Sequence, residues 1–291
     1  MAVSVIERIG VSTHFLPAAD GESIWDAIDQ VYAMGLRGFE LIPDDYRGQL
    51  AEPYVPAVGI WPADLHPEQR QRLREALSVF DVVTIHSPQL DLNLASMNPG
   101  IREESRRQIC ECLDLARDLG VRVVTFHRGH PSVEGVHDPQ ETERHNIEFG
   151  RRAAELTEDC DMLIGFEVGG PGGLDAQMRE IAAIDCEHFG VNLDLGHAAV
   201  QGPAPEVWAR EFAGKIVEVQ ICGVRRSWSG CTARQPIERN NVIDYEAVLA
   251  ELKSQGFDGP VICEIEGFNI EGTVSHVLAA RALLSDIWER F

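Results

Sequence analysis

At 291 residues, 44% of them hydrophobic, the chain is long enough to bury one sizeable core. Its 47 acidic residues against 25 basic ones give a formal net charge of −22, a field that repels polyanions and disfavours nucleic acid as a partner. Seven cysteines, an odd number with no C-x-x-C pair, point to neither a disulfide framework nor a zinc ribbon. The N-terminal MAVSVIERIG has no basic region followed by an apolar core, and no segment reaches the ~20 apolar residues of a membrane span. The expectation is a soluble protein of a reducing cytoplasm, with no membrane partner.

Short apolar runs recur along the chain and predict eight strands: IGVSTHF (9–15), GFELI (38–42), DVVTIHS (81–87), VRVVTFH (121–127), MLIGFEV (162–168), GVNLDLG (190–196), KIVEVQI (215–221) and PVICEIE (260–266). Stretches of helical spacing separate them: SIWDAIDQVYAMG, PEQRQRLREALSVF, IREESRRQICECLDLARDLG, DPQETERHNIEFGRRAAELTEDC, LDAQMREIAAI, PEVWAREFA, YEAVLAELKSQG and TVSHVLAARALLSDIWERF. Asp138-Pro139 has the form of a helix start, and Gly35, Gly120 and Gly256 fall where helices should stop.

Eight β units alternating with helices make a closed (β/α)₈ TIM barrel the leading architecture, ahead of a doubly wound open sheet. No linker divides the chain, so residues 1–291 are expected to form one domain. The long irregular stretch AEPYVPAVGIWPADLHP (51–67) is placed at the barrel rim.

Polar residues keep one parity along the strands: Thr84 and His86, Thr125 and His127, Gly165 and Glu167, Asn192 and Asp194, Glu218 and Gln220, Glu264 and Glu266. The opposite parity is apolar, so the polar set should face the interior, and its last members should converge on the C-terminal mouth. Buried carboxylates facing one another carry heavy desolvation and repulsion terms unless a cation offsets them. Glu167, Asp194, Gln220 and Glu264 offer three carboxylates and an amide oxygen, hard donors that suit Mn²⁺ or Mg²⁺, with Co²⁺ or Zn²⁺ as alternatives. His86, His127 and His197 could instead complete a zinc cluster. Arg225 and Arg226 are candidates for a substrate phosphate or carboxylate, or for surface ion pairs. The GGPGG run at 169–173 lacks a phosphate-loop lysine and reads as a tight turn, while Trp61 and Trp228 are candidates to cap the mouth.

Several segments together resemble the xylose-isomerase-like barrel superfamily, roughly from Ile9 to Glu266: IHSPQLDLNLAS, LGVRVVTFHRG, the FE of GFEVGG, DLGH, and IDYEAVLAELKSQGFDGPVICEIEG. The resemblance implies that Glu167, Asp194 and Glu264 hold a metal and that Glu167 and Glu264 form an acid/base pair across the substrate. It also implies that His197 binds substrate or a further metal. Most members carry a histidine where this chain has Gln220; hydroxypyruvate-isomerase-like members carry glutamine in a similar Q-I-x-G-V stretch. Endonuclease members carry an Asp-x-His pair further on, where GCTARQPIERNNVID offers Glu238 and Asn240. The resemblance also implies a homo-oligomer, a dimer or tetramer.

The expected activity is a divalent-metal isomerase or epimerase of a small sugar or hydroxy-carbonyl compound, acting through a metal-stabilised enediolate. His86, His127, His197, Arg225 and Glu266 are expected to contact substrate. The alternatives are a dehydratase or lyase on the same scaffold, a zinc apurinic endonuclease, and a non-catalytic barrel that binds a sugar or a partner subunit.

Overall fold

A computed structural model describes residues 5–16, 23–44, 59–228, 230–265 and 269–291. Residues 51–58 of the expected rim loop, and Glu266, lie outside the described residues.

The chain begins with β1 (Gly10–Ser12), α1 (Ile24–Ala33), β2 (Gly38–Leu41), α2 (Pro67–Leu77), β3 (Val82–His86) and α3 (Pro99–Leu119). It continues through β4 (Val123–Phe126), α4 (Pro139–Thr157), β5 (Leu163–Glu167), α5 (Gly173–Ile184), β6 (Phe189–Asp194), α6 (Leu195–Gln201), α7 (Pro205–Glu211) and β7 (Ile216–Ile221). An antiparallel hairpin of β8 (Gly223–Ser227) and β9 (Gly230–Gln235) follows, then α8 (Tyr245–Ser254), β10 (Val261–Cys263) and α9 (Ile270–Trp288). Strands β1 to β7 and β10 pair in parallel into a closed barrel, β1 closing against β10 through Gly10–Ile262 and Val11–Cys263. Each predicted strand is present within a few residues of its expected span. The hairpin and α6 were not expected.

Alternation along the strands sorts side chains as their parity predicts. Val124, Phe126, Ile164, Phe166, Val191, Leu193, Val219 and Ile221 are buried in the apolar core. Phe126, Phe149, Phe166 and Phe189 pack edge to face there, with centroids 5.2–6.0 Å apart. The opposite parity fills the barrel interior: Glu40, Thr84, Thr125, Asn192, Glu218 and Gln220 are buried, and Gln220 on β7 reaches Glu40 on β2 across it. Gly165 and Gly190 are register partners on β5 and β6; a Cβ on Gly165 would come within 2.9 Å of the Gly190 backbone.

Local signals set the helix ends. Asp138 caps α4 by accepting from Gln140 N, with Pro139 in the first turn, and Gly120 closes α3 at a left-handed φ of 75°. The seven cysteines are free. No helix among the described residues is long and apolar enough to cross a membrane.

Candidate active site

Glu167 ends β5 at the C-terminal mouth, its side chain 3% exposed and ringed by imidazoles. Its Oε2 lies 2.8 Å from His127 Nε2 and 3.1 Å from His86 Nε2, and its Oε1 lies 3.2 Å from His197 Nε2. Burial works to raise the pKa of Glu167, but the neighbouring His127 and His197 and the hydrogen bonds from His127 and His86 hold it well below the usual carboxylate range. His86 has an acceptor at each ring nitrogen, Ser87 O at 2.8 Å from Nδ1 and Glu167 at Nε2. Burial opposes a charge on this ring, yet the hydrogen bond and charge of Glu167 push its pKa up to about 10.

β6 runs directly into α6 through Asp194. Asp194 Oδ1 accepts from His197 N at 2.8 Å and caps the helix, while Oδ2 accepts from Arg234 Nη1 at 2.7 Å. The same guanidinium places Nη2 3.0 Å from Glu264 Oε2 and 3.1 Å from His197 Nε2. Arg234 reaches the mouth from β9, at a left-handed φ of 61° that is uncommon for a residue other than glycine.

Beneath this rim the interior is also acidic. Gln220 Nε2 donates to both oxygens of Glu40, at 3.1 and 3.3 Å, which turns its own Oε1 away from Glu40. Burial, reinforced by the charge of Glu218, pushes Glu40 up to about 8; burial likewise pushes Glu218 up to about 7. Glu264 is driven well above the usual range by burial, with Arg234 opposing and Asp194 and Glu167 adding to the rise. His14, on the turn after β1, is lowered to about 4 by burial and by His86, Arg234 and His127.

The loops that carry Glu167 and His127 are braced from behind. Arg128 donates to both oxygens of Glu180 on α5, at 2.7 and 2.9 Å, and to Gly169 O at 2.8 Å. Asn146 on α4 donates to Glu180 at 2.9 Å and accepts from Gly129 N at 2.8 Å. The glycine run is conformational, as expected: Gly169, Gly170, Gly172 and Gly173 all have positive φ. Gln201 on α6 ties the run to the site, its Oε1 accepting from Gly170 N and its Nε2 lying 3.2 Å from His197 Nδ1.

The donor chemistry of the mouth fits a divalent cation. Glu167 Oε1, Gln220 Oε1 and Glu264 Oε2 are buried and accept no well-aligned hydrogen bond, although His197 Nε2 stands 3.2 Å from the first and Arg234 Nη2 3.0 Å from the last. Glu167, Asp194 and His197 bring ligand atoms within 4.8 Å of one another, as do His86, His127 and Glu167. Of the four expected metal-binding residues, Glu167 and Asp194 share a tight group, Glu264 is linked to Asp194 through Arg234, and Gln220 is the register partner of Asp194 on β7 with its amide nitrogen on Glu40. His86, His127 and His197, the expected substrate-binding histidines, all stand against Glu167. Arg225 is exposed on β8, opposite Thr232, and the arginine among the carboxylates is Arg234. Trp228 is fully exposed in the hairpin loop. His14, Glu40 and Arg234 were not singled out from sequence, although His14 and Glu40 sit on predicted strands and obey the same strand-end and parity rules.

The model of the xylose isomerase-like TIM barrel family matches residues 28–284. The chain belongs to that family. An uncharacterised protein of Methanocaldococcus jannaschii is 28% identical over 222 residues, 72% of this chain and 73% of the relative. A probable endonuclease 4 of Mycobacterium marinum is 24% identical over 205 residues, 68% of this chain and 78% of the relative. Among solved structures, a D-tagatose 3-epimerase-like protein superposes with a TM-score of 0.76 at 23% identity, covering 97% of this chain and 99% of its own. The structural likeness establishes the fold this family member shares with that protein.

Proposed function

We propose that the protein is a divalent-metal-dependent isomerase or epimerase of a small polyhydroxylated carbonyl compound. The observation that carries this is the convergence of Glu167, Asp194 and His197 ligand atoms within 4.8 Å of one another at the strand-end mouth, with buried, hydrogen-bond-deficient oxygens on Glu167 and Glu264. Glu167, Asp194, Gln220 and Glu264 would hold the metal, an oxygen-rich set that suits Mn²⁺ or Mg²⁺. When bound, the metal would supply Lewis acidity toward the substrate carbonyl.

The chain's own residues divide the remaining work. Glu167, held in its ionised form by the surrounding imidazoles, takes the proton from the carbon next to the carbonyl. Glu264, three strands away around the ring, returns a proton from another face. Two carboxyls whose surroundings drive their pKa values apart are what an acid/base pair requires. His127, half exposed at the rim, and His197 donate to substrate hydroxyls. The small-molecule partner is thereby a carbohydrate or hydroxy-carbonyl compound, and the acidic surface disfavours nucleic acid.

The zinc endonuclease alternative is disfavoured by the net charge of −22, which repels a polyanionic substrate. The test is solvent-proton exchange. Protein reconstituted with Mn²⁺ or Mg²⁺ is incubated in heavy water with a panel of ketoses, inososes and hydroxy-keto acids, and the products are read by NMR. Deuterium at the carbon next to the carbonyl, lost in Glu167→Gln, is the expected result; an eliminated product would move the assignment to a dehydratase. No exchange with any carbonyl compound, at full metal occupancy, would overturn it.

A further inference from the structure

We propose that Arg234 and the divalent metal are alternative occupants of the Asp194 and Glu264 carboxylates, so that Arg234 sets the metal affinity of the site. This rests on the metal-dependent function proposed above. The guanidinium lies 2.7 Å from Asp194 Oδ2 and 3.0 Å from Glu264 Oε2, two residues expected to hold the cation. A guanidinium and a divalent ion sharing those oxygens would sit within a few ångströms of each other in a buried site, where like charges repel strongly. One must leave for the other to bind.

Three features show that Arg234 is the one able to leave. First, it enters from β9 of a two-stranded hairpin outside the barrel, whereas Asp194, Glu167 and Glu264 stand at the ends of barrel strands and His197 on the helix that continues β6. Second, its backbone is left-handed at φ 61°, a conformation that the side chain's ion pairs must offset. Third, its contact with His197 is mismatched. Gln201 Nε2 stands 3.2 Å from His197 Nδ1, and Arg234 Nη2 stands 3.1 Å from Nε2. The Gln201 amide is fixed because its Oε1 accepts from Gly170 N. Donors therefore face both ring nitrogens, and an imidazole in any protonation state carries at least one N–H. One of the two contacts opposes a donor to a donor. Departure of Arg234 removes the conflict and frees His197 Nε2–H to turn to Glu167 Oε1, 3.2 Å away.

The arrangement couples metal entry to the hairpin. Without metal the guanidinium neutralises the carboxylates; with metal it is released toward the mouth and β8–β9 loses its anchor. By linkage, whatever holds Arg234 on the carboxylates weakens the metal, and the metal weakens that hold by the same factor.

Two measurements on the full chain test this. Mn²⁺ and Mg²⁺ titrations by calorimetry compare the wild type with Arg234→Met, and hydrogen exchange follows the backbone of residues 223–235 in the wild type with and without saturating Mn²⁺. The expected results are metal binding at least tenfold tighter in Arg234→Met, and faster exchange across the hairpin when the wild type binds metal. Equal affinity in the two proteins, or hairpin exchange that metal leaves unchanged, overturns the proposal while the metal-dependent function stands. Absence of metal binding in both proteins overturns the two together. The exchange experiment uses only the wild type, so a poorly folded variant cannot obscure the outcome.

Discussion

Two arginines sit beside the mouth, Arg128 buried and Arg234 part-buried, and they are partnered in opposite ways. Arg128 meets one carboxylate with both arms of its fork, Glu180 is further satisfied by Asn146, and the remaining donors reach backbone carbonyls. Arg234 is split between two carboxylates on different strands and an imidazole that already faces a donor, and Glu264 Oε2 still accepts no well-aligned hydrogen bond. The first arrangement is closed: nothing can be added without breaking it. The second divides one guanidinium among groups that are themselves expected to hold a cation, which is how a place that exchanges one cation for another should look. A buried fork spent on one carboxylate marks a brace; a part-buried fork shared among expected cation ligands marks an occupant.

The sharpest way to break this comparison is to remove the carboxylate under Arg128. Glu180→Leu leaves that guanidinium buried and unpaired, and should cost about 3–5 kcal/mol in chemical denaturation, unchanged by added metal. Arg234→Met should cost less, about 1.5–3 kcal/mol for the lost charged hydrogen bonds, and saturating Mg²⁺ should restore most of it, seen as a recovery in Tm. If metal rescued Glu180→Leu instead, the assignment of the two arginines would be reversed.

Smaller effects follow from the carboxyls below the rim. Glu40 has a folded-state pKa raised to about 8 from an ordinary value of 4.5, so the folded state binds this proton more tightly than the unfolded chain does. Its contribution is fully present below about pH 4.5 and is lost as pH rises through about 8. Glu218 acts with the same sign through about 7. Denaturation midpoints of the metal-free protein should therefore fall between pH 5 and pH 8.5, and Glu40→Gln should flatten that fall; a variant with the wild-type slope would exclude Glu40 as its source. The smallest effect belongs to Arg225→Ala, which should leave both Tm and metal content unchanged, because this side chain is exposed on the hairpin.

The barrel strands were legible because each is an apolar run bounded by turn residues, and their inward parity was legible because the interior is polar here. Glu167, Asp194, Gln220 and Glu264 followed from that parity and from their places at strand ends. Glu40 and His14 obey the same rules and could have been found by applying them to the first two strands. Arg234 could not. GVRRSWSGCTARQ alternates no apolar face, so neither strand of the hairpin announced itself, and nothing local shows that one of its arginines turns inward over the barrel. Arg225 and Arg234 differ in fate because of tertiary placement, which spacing does not encode. α6 was hidden for a different reason: at seven residues it is too short to build a periodic pattern.

The junction at Asp194 also bears on how this chain can change. The residue is at once the last of β6 and the cap of α6, so strand becomes helix with no loop residue between them. His197 therefore has its bearing set by counting residues from Asp194. One residue inserted after Asp194 would rotate everything beyond it by about 100° around the helix axis and carry His197 away from Glu167. Length variation at this spot should be far less tolerated than in the exposed loop around Trp228, which has room to grow without moving the barrel.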